Sequence, residues 1–122
     1  MLKLSILQQL FETHKNIPAI IDLLSKHKDI YVKGLQGSSA SMFATALFHK
    51  TDSCYLFVLN DLESAGYFYH DLNQILDSDK ILFFPSAYKR AIKYGQIDAA
   101  NEILRTEVMG QLQVEDKNLI IV

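Results

Sequence analysis

A chain of 122 residues, 49% apolar and 21% charged, is long enough for one domain with a buried core and is too apolar to be intrinsically disordered. Its 12 basic and 14 acidic residues give a net charge of −2, without the basic excess that marks a dedicated nucleic-acid grip. A protein partner is therefore expected ahead of a polyanion.

Leu4, Leu7, Leu10 and Phe11 recur at helical spacing and predict an amphipathic helix over residues 3–14. Its apolar stretch is broken by Gln8 and Gln9, so it forms neither a signal peptide nor a membrane span, and a cytoplasmic location is expected. Asn16 is a candidate cap for a second helix, with Pro18 in its first turn and Ile17, Ile20, Ile21 and Leu24 as its stripe. DIYVKGL predicts a strand running into a tight loop. A helix follows from about Ser38, its buried side marked by Met42, Phe43, Ala46 and Leu47.

The alternation then repeats. CYLFVL is a nearly continuous apolar run, as expected of a strand covered on both faces. Cys54 within it is the one cysteine; it can form no intrachain disulfide, suits a reducing compartment, and with no basic neighbour in sequence is expected to be a small buried hydrophobe. NDLESAGYFYHDLNQIL sets Leu62, Ala65, Phe68, Tyr69, Leu72 and Ile75 in helical register, with Asn60 or Asp61 as cap and Glu63 at the positive end. KILFFP predicts a third strand, stopped by Pro85. After the less regular SAYKRAIKYGQ comes a helix with Ile97, Ala100, Ile103, Leu104, Val108 and Leu112 on its apolar side, and LIIV begins a fourth strand.

Strands alternating with helices predict an α/β fold: a parallel sheet of about four strands with helices on both faces. Residues 1–29 supply the N-terminal helices and 30–122 the α/β domain. Ending inside an apolar strand, at Val122, leads us to expect a piece of a longer protein.

GLQGSSAS carries the clearest trace of chemistry. A Walker A loop, G-x-x-x-x-G-K-[ST], cradles phosphates with its amides, reaches them with the lysine and holds magnesium with the hydroxyl. Laid on Gly34, the template puts Ser39 at the second glycine, Ala40 at the lysine and Ser41 at the hydroxyl. Three readings stay open: an ordinary strand-to-helix turn that Gly37 helps to form and Ser38 or Ser39 caps, a decayed nucleotide loop, and an anion site made of helix-start amides alone. Lys33 precedes the loop, and nothing else nearby in sequence is basic. Asp61, after LFVLN, is at the place of a Walker B carboxylate, but a helix cap is the simpler role.

Elsewhere the chemistry is sparse. His14, His27, His49 and His70 have no metal-ligand spacing with each other or with Cys54. His70 and Asp71, as helix neighbours, point to different faces. The serines lack a nucleophile elbow, and Phe68, flanked by Tyr67 and Tyr69, is expected in the core. Lys89, Arg90 and Lys93 form a small basic cluster whose simplest role is a solvated face. No catalytic constellation, metal site or cofactor site is expected in this chain.

Four stretches in order, GLQGSSASMFATAL, LFVLNDLESAGYFYHDL, ILFFPSAYKR and GQIDAANEILRTEVMGQL followed by NLIIV, together resemble one family. It is the N-terminal module of the bacterial transcription-repair coupling factor (Mfd), a large DNA translocase, and that module is similar to the first domain of the excision-repair protein UvrB. The resemblance runs from about Ile30 to Val122. Tyr88 fits it, whereas SAYKRAIKYGQ departs from the family's more acidic stretch. It implies a RecA-like fold in which the loop of Gly34, Gly37, Ser38, Ser39, Ala40 and Ser41 no longer holds a nucleotide. ATP and magnesium would be used only by a translocase module far along the parent chain.

The resemblance further implies a scaffold and regulatory role in nucleotide excision repair, packing against the rest of the parent to hold it repressed. The parent would bind UvrA, RNA polymerase and DNA, with the main UvrA surface outside these residues. The alternative is a free-standing α/β domain that binds a nucleotide or other phosphate ligand at the Gly34–Ser41 loop.

Overall fold

Among the described residues, amphipathic periodicity is converted into five helices, and β-branched runs into three short strands. The computed structural model describes residues 3–87, 98–114 and 118–122. In chain order the elements are α1 (Leu4–Glu12), α2 (Asn16–Lys26), α3 (Ser39–Lys50), β1 (Tyr55–Leu56), α4 (Leu62–Leu76), β2 (Ile81–Leu82), α5 (Ala99–Gln113) and β3 (Ile120–Ile121). Two compact units result: residues 1–52 with 71–77, and residues 53–70 with 78–122.

The first unit is helical, with α1 and α2 each packed on α3. Ala44, Thr45, Ala46 and Leu47 are all buried, so α3 is covered around most of its circumference, as a central helix must be. Leu72, from the C-terminal half of α4, is fully buried in this unit. The residue of α1 that is buried is Gln8, whose Nε2 donates to the Met42 carbonyl at 3.0 Å and to Glu12 Oε1 at 2.9 Å. Glu12 Oε1 also meets His49 Nδ1 at 2.7 Å.

The expected stripe of α1 is correspondingly displaced. Leu4, Leu7 and Leu10 are exposed, and Phe11 is half-buried. A polar side chain that finds a carbonyl partner can enter an interface that periodicity assigns to leucines. On α2, Ile17 is buried and Ile20 and Ile21 half-buried, while Leu24 is exposed. Asn16 is the first residue of that helix and not its cap; Lys15 holds the cap position, and the Asn16 amide donates to His14 Nδ1.

The strand expected in DIYVKGL does not form. Ile30 and Val32 are half-buried and Tyr31 is 82% exposed, which is the alternation of an extended segment, but among the described residues no neighbouring strand supplies a ladder for its backbone. The sheet therefore has three described strands.

In the second unit all strand pairs are parallel, in the order β1-β3-β2, with Tyr55, Ile120 and Ile81 in one row and Leu56, Ile121 and Leu82 in the next. Successive side chains point to opposite faces. One face meets α4 through Phe57 on Phe68, ring centroids 5.1 Å apart, and Phe83 on Tyr69, 5.2 Å apart. On the other face Leu82, Leu119 and Ile121 cluster with Val108 of α5, and Phe84 packs against them. A parallel sheet with a helix on each face is an α/β arrangement.

β1 lies at the edge, and its outward parity is open: Leu56 is 66% and Val58 84% exposed. The run CYLFVL is thus covered on one face, not two. Cys54 shares the open parity and is exposed, contrary to the buried position expected of it. On α5, Val108 is buried and Leu104 half-buried, whereas Ala100, Ile103 and Leu112 are exposed. The apolar side read from the sequence is wider than the stripe that finds a partner.

Candidate functional site

The loop before α3 is shaped by two glycines. Gly34 has φ +90° and Gly37 φ +55°, in the left-handed region that favours glycine. Ser39, at the second glycine of the Walker template, needs no such conformation, because it is the first residue of α3. The left-handed residue sits two positions earlier, at Gly37.

The loop's polar groups are turned on themselves. The Ser39 hydroxyl donates to the Gln36 carbonyl and accepts from the Gln36 amide, both at 2.7 Å. The amides of Ser39, Ala40 and Met42 donate to the carbonyls of Gln36, Gly37 and Ser38 at 3.2, 3.4 and 3.0 Å. Ser38 holds the cap position without a side-chain cap bond, so the serine that closes the turn is Ser39, reaching backwards.

Ser41, at the template's metal-binding hydroxyl, is 2% exposed, and its Oγ donates to Asp71 Oδ2 at 3.5 Å. Ala40 has no charge to offer a phosphate. Lys33 places its ammonium 5.4 Å from the centre of the Tyr31 ring, a cation–π position. The six loop residues of the template thus run into the start of one helix, with the amides of Ser39 and Ala40 and the hydroxyls of Ser39 and Ser41 already engaged within the protein.

Asp61 acts as a helix cap: its Oδ1 accepts from the Ser64 amide at 2.7 Å at the start of α4, and Glu63 lies in that helix's first turn. Asp98 plays the same part for α5, accepting from the Ala100 and Asn101 amides. The sequence reading did not single out Asp98, although an aspartate followed by AANE is an N-cap signature. His49 is engaged with Glu12, and His70 is exposed. Among the described residues no group of three or more metal-ligating side chains occurs, and no helix is long and apolar enough to cross a membrane. Tyr88, Lys89, Arg90, Lys93 and Ile97 lie outside the described residues. Comparison with protein-family models, with curated proteins and with solved structures finds no match to this chain.

Proposed function

We propose that this chain is a non-catalytic α/β module that serves as scaffold and regulatory surface, of the kind that opens a transcription-repair coupling translocase. In this reading its fold derives from the RecA-like class, it works in the cytoplasm in nucleotide excision repair, and its first partner is the rest of its own parent chain. UvrA, RNA polymerase and DNA are partners of the parent, and ATP and magnesium belong to the parent's distant translocase module.

The observation that carries the reading is the self-closed Gly34–Ser41 loop. A phosphate site needs open amides and a cation. Here Ser39 ties the loop back to Gln36, the Ser39 and Ala40 amides are spent in the turn, and Ser41 is buried beside Asp71. What persists is a glycine-shaped loop leading into a helix, without the chemistry of a phosphate site, which in this reading leaves surfaces as the means of action.

The test adds this chain in trans to a translocase of that family from which the N-terminal module has been removed. The derepressed ATPase rate is expected to fall several-fold at saturation, and to fall equally with an Ala40→Ser chain. An unchanged rate at saturating chain would contradict the proposal.

A further inference from the structure

α1 meets α3 along a polar seam. Gln8 Nε2 donates to the Met42 carbonyl at 3.0 Å, and one turn further along α1 the Glu12 Oε1 meets His49 Nδ1 at 2.7 Å. Gln8 and Glu12 are four apart on α1, and Met42, Thr45 and His49 follow at intervals of three and four on α3, so each set forms one stripe. Thr45 therefore stands between the two contacts, about 4.5 Å along the helix axis from Met42 and about 6 Å from His49.

Among the described residues two buried side-chain atoms have no hydrogen-bond partner, and both belong to this seam: Gln8 Oε1 and Thr45 Oγ1. We propose that one internal water molecule bridges them. The two residues are 4% and 0% exposed, so bulk solvent reaches neither atom, and a polar atom at that depth is costly unless it is hydrogen-bonded.

The orientation of Gln8 is fixed by its own nitrogen, which donates both to the Met42 carbonyl and to Glu12 Oε1 at 2.9 Å. Turning the amide over would set its oxygen against two acceptors. Thr45 differs from the other three threonines of the chain. Thr13, Thr51 and Thr106 each donate to the carbonyl three or four residues back, at 2.7, 2.7 and 2.8 Å, the ready outlet for a hydroxyl in or just after a helix. Thr45 Oγ1 makes no such bond.

Water matches the pair. It donates to Gln8 Oε1, which can only accept, and exchanges a hydrogen bond in either sense with Thr45 Oγ1, which can do both. It adds a third rung between the other two, holding Gln8 inward while Leu4, Leu7 and Leu10 stay exposed.

A high-resolution crystal structure of the complete chain tests the proposal. A water is expected within about 3.2 Å of both atoms. No density there, or a direct hydrogen bond between Thr45 and Gln8, would overturn it. Thr45→Val, which keeps nearly the same shape without the hydroxyl, supplies an independent sign. With the bridge in place, valine strands Gln8 Oε1 and the urea midpoint falls; with a hydroxyl that has no partner at all, valine relieves a buried polar group and the midpoint rises. An unchanged or raised midpoint counts against the water. Should the valine chain fail to fold, the wild-type density alone decides.

Discussion

Replacing Ile120 by alanine lowers stability by about 3 kcal/mol, in the middle of the roughly 2–5 kcal/mol range for emptying a fully buried aliphatic site. Ile120 is 0% exposed and sits on the central strand, paired in register with Tyr55 on one side and Ile81 on the other. Its backbone is fixed as well: the Ile120 amide donates to the Lys80 carbonyl at 2.9 Å, and the Tyr55 amide to the Leu119 carbonyl at 2.8 Å. With both neighbours held by the ladder, the walls cannot collapse into the space, and the cavity term is paid nearly in full. Urea unfolding checks it: the midpoint falls while the slope is unchanged. Leu56→Ala, one row along on the open side of the edge strand and 66% exposed, changes stability by no more than about 0.5 kcal/mol. Equal losses at the two positions would contradict the assignment of faces.

Leu72→Ala makes a similar demand on the helical unit, with an expected loss of about 3 kcal/mol. Leu72 is 0% exposed and belongs to the part of α4, Asp71–Leu76, that falls in the helical unit, where Asp71 accepts from Ser41 of α3. Leu62, on the same helix, is 54% exposed, and its replacement by alanine costs about 0.5 kcal/mol or less. Because α4 contributes to both units, the Leu72 variant is best read by hydrogen exchange. Protection is expected to fall across α1, α2 and α3. A loss of protection confined to α4 would contradict its place in that unit.

The helices were the legible part of the sequence. In α4 the predicted register turns inward at Ala65, Phe68, Tyr69, Leu72 and Ile75 but not at the exposed Leu62, and Asp61 caps it, because a long periodic run with a polar start fixes most of its own geometry. α1 was legible as a helix but not as a packed one. Its buried residue is Gln8, and nothing in a single sequence announces that a glutamine will meet the Met42 carbonyl.

The strands show the other limit. A strand is completed by a partner far away in sequence, so DIYVKGL and CYLFVL look alike as strings. The second obtains a ladder from β3 and the first obtains none. The open parity of the edge strand likewise escaped notice, and with it the exposure of Cys54. The partial match of Gly34–Ser41 to a phosphate-loop template was visible, since the sequence alone displays alanine at Ala40 where the template has lysine. The loop's self-closure through Ser39 and Gln36 was not.

The central claim is that the Gly34–Ser41 loop holds no nucleotide, and titration calorimetry with ATP and magnesium tests it most directly. The wild-type chain is expected to give no binding heat up to millimolar ATP, and Ala40→Lys, which restores the template's cation, is expected to bind no better, because the Ser39 and Ala40 amides remain spent in the turn. Micromolar affinity in the wild-type chain would contradict the account.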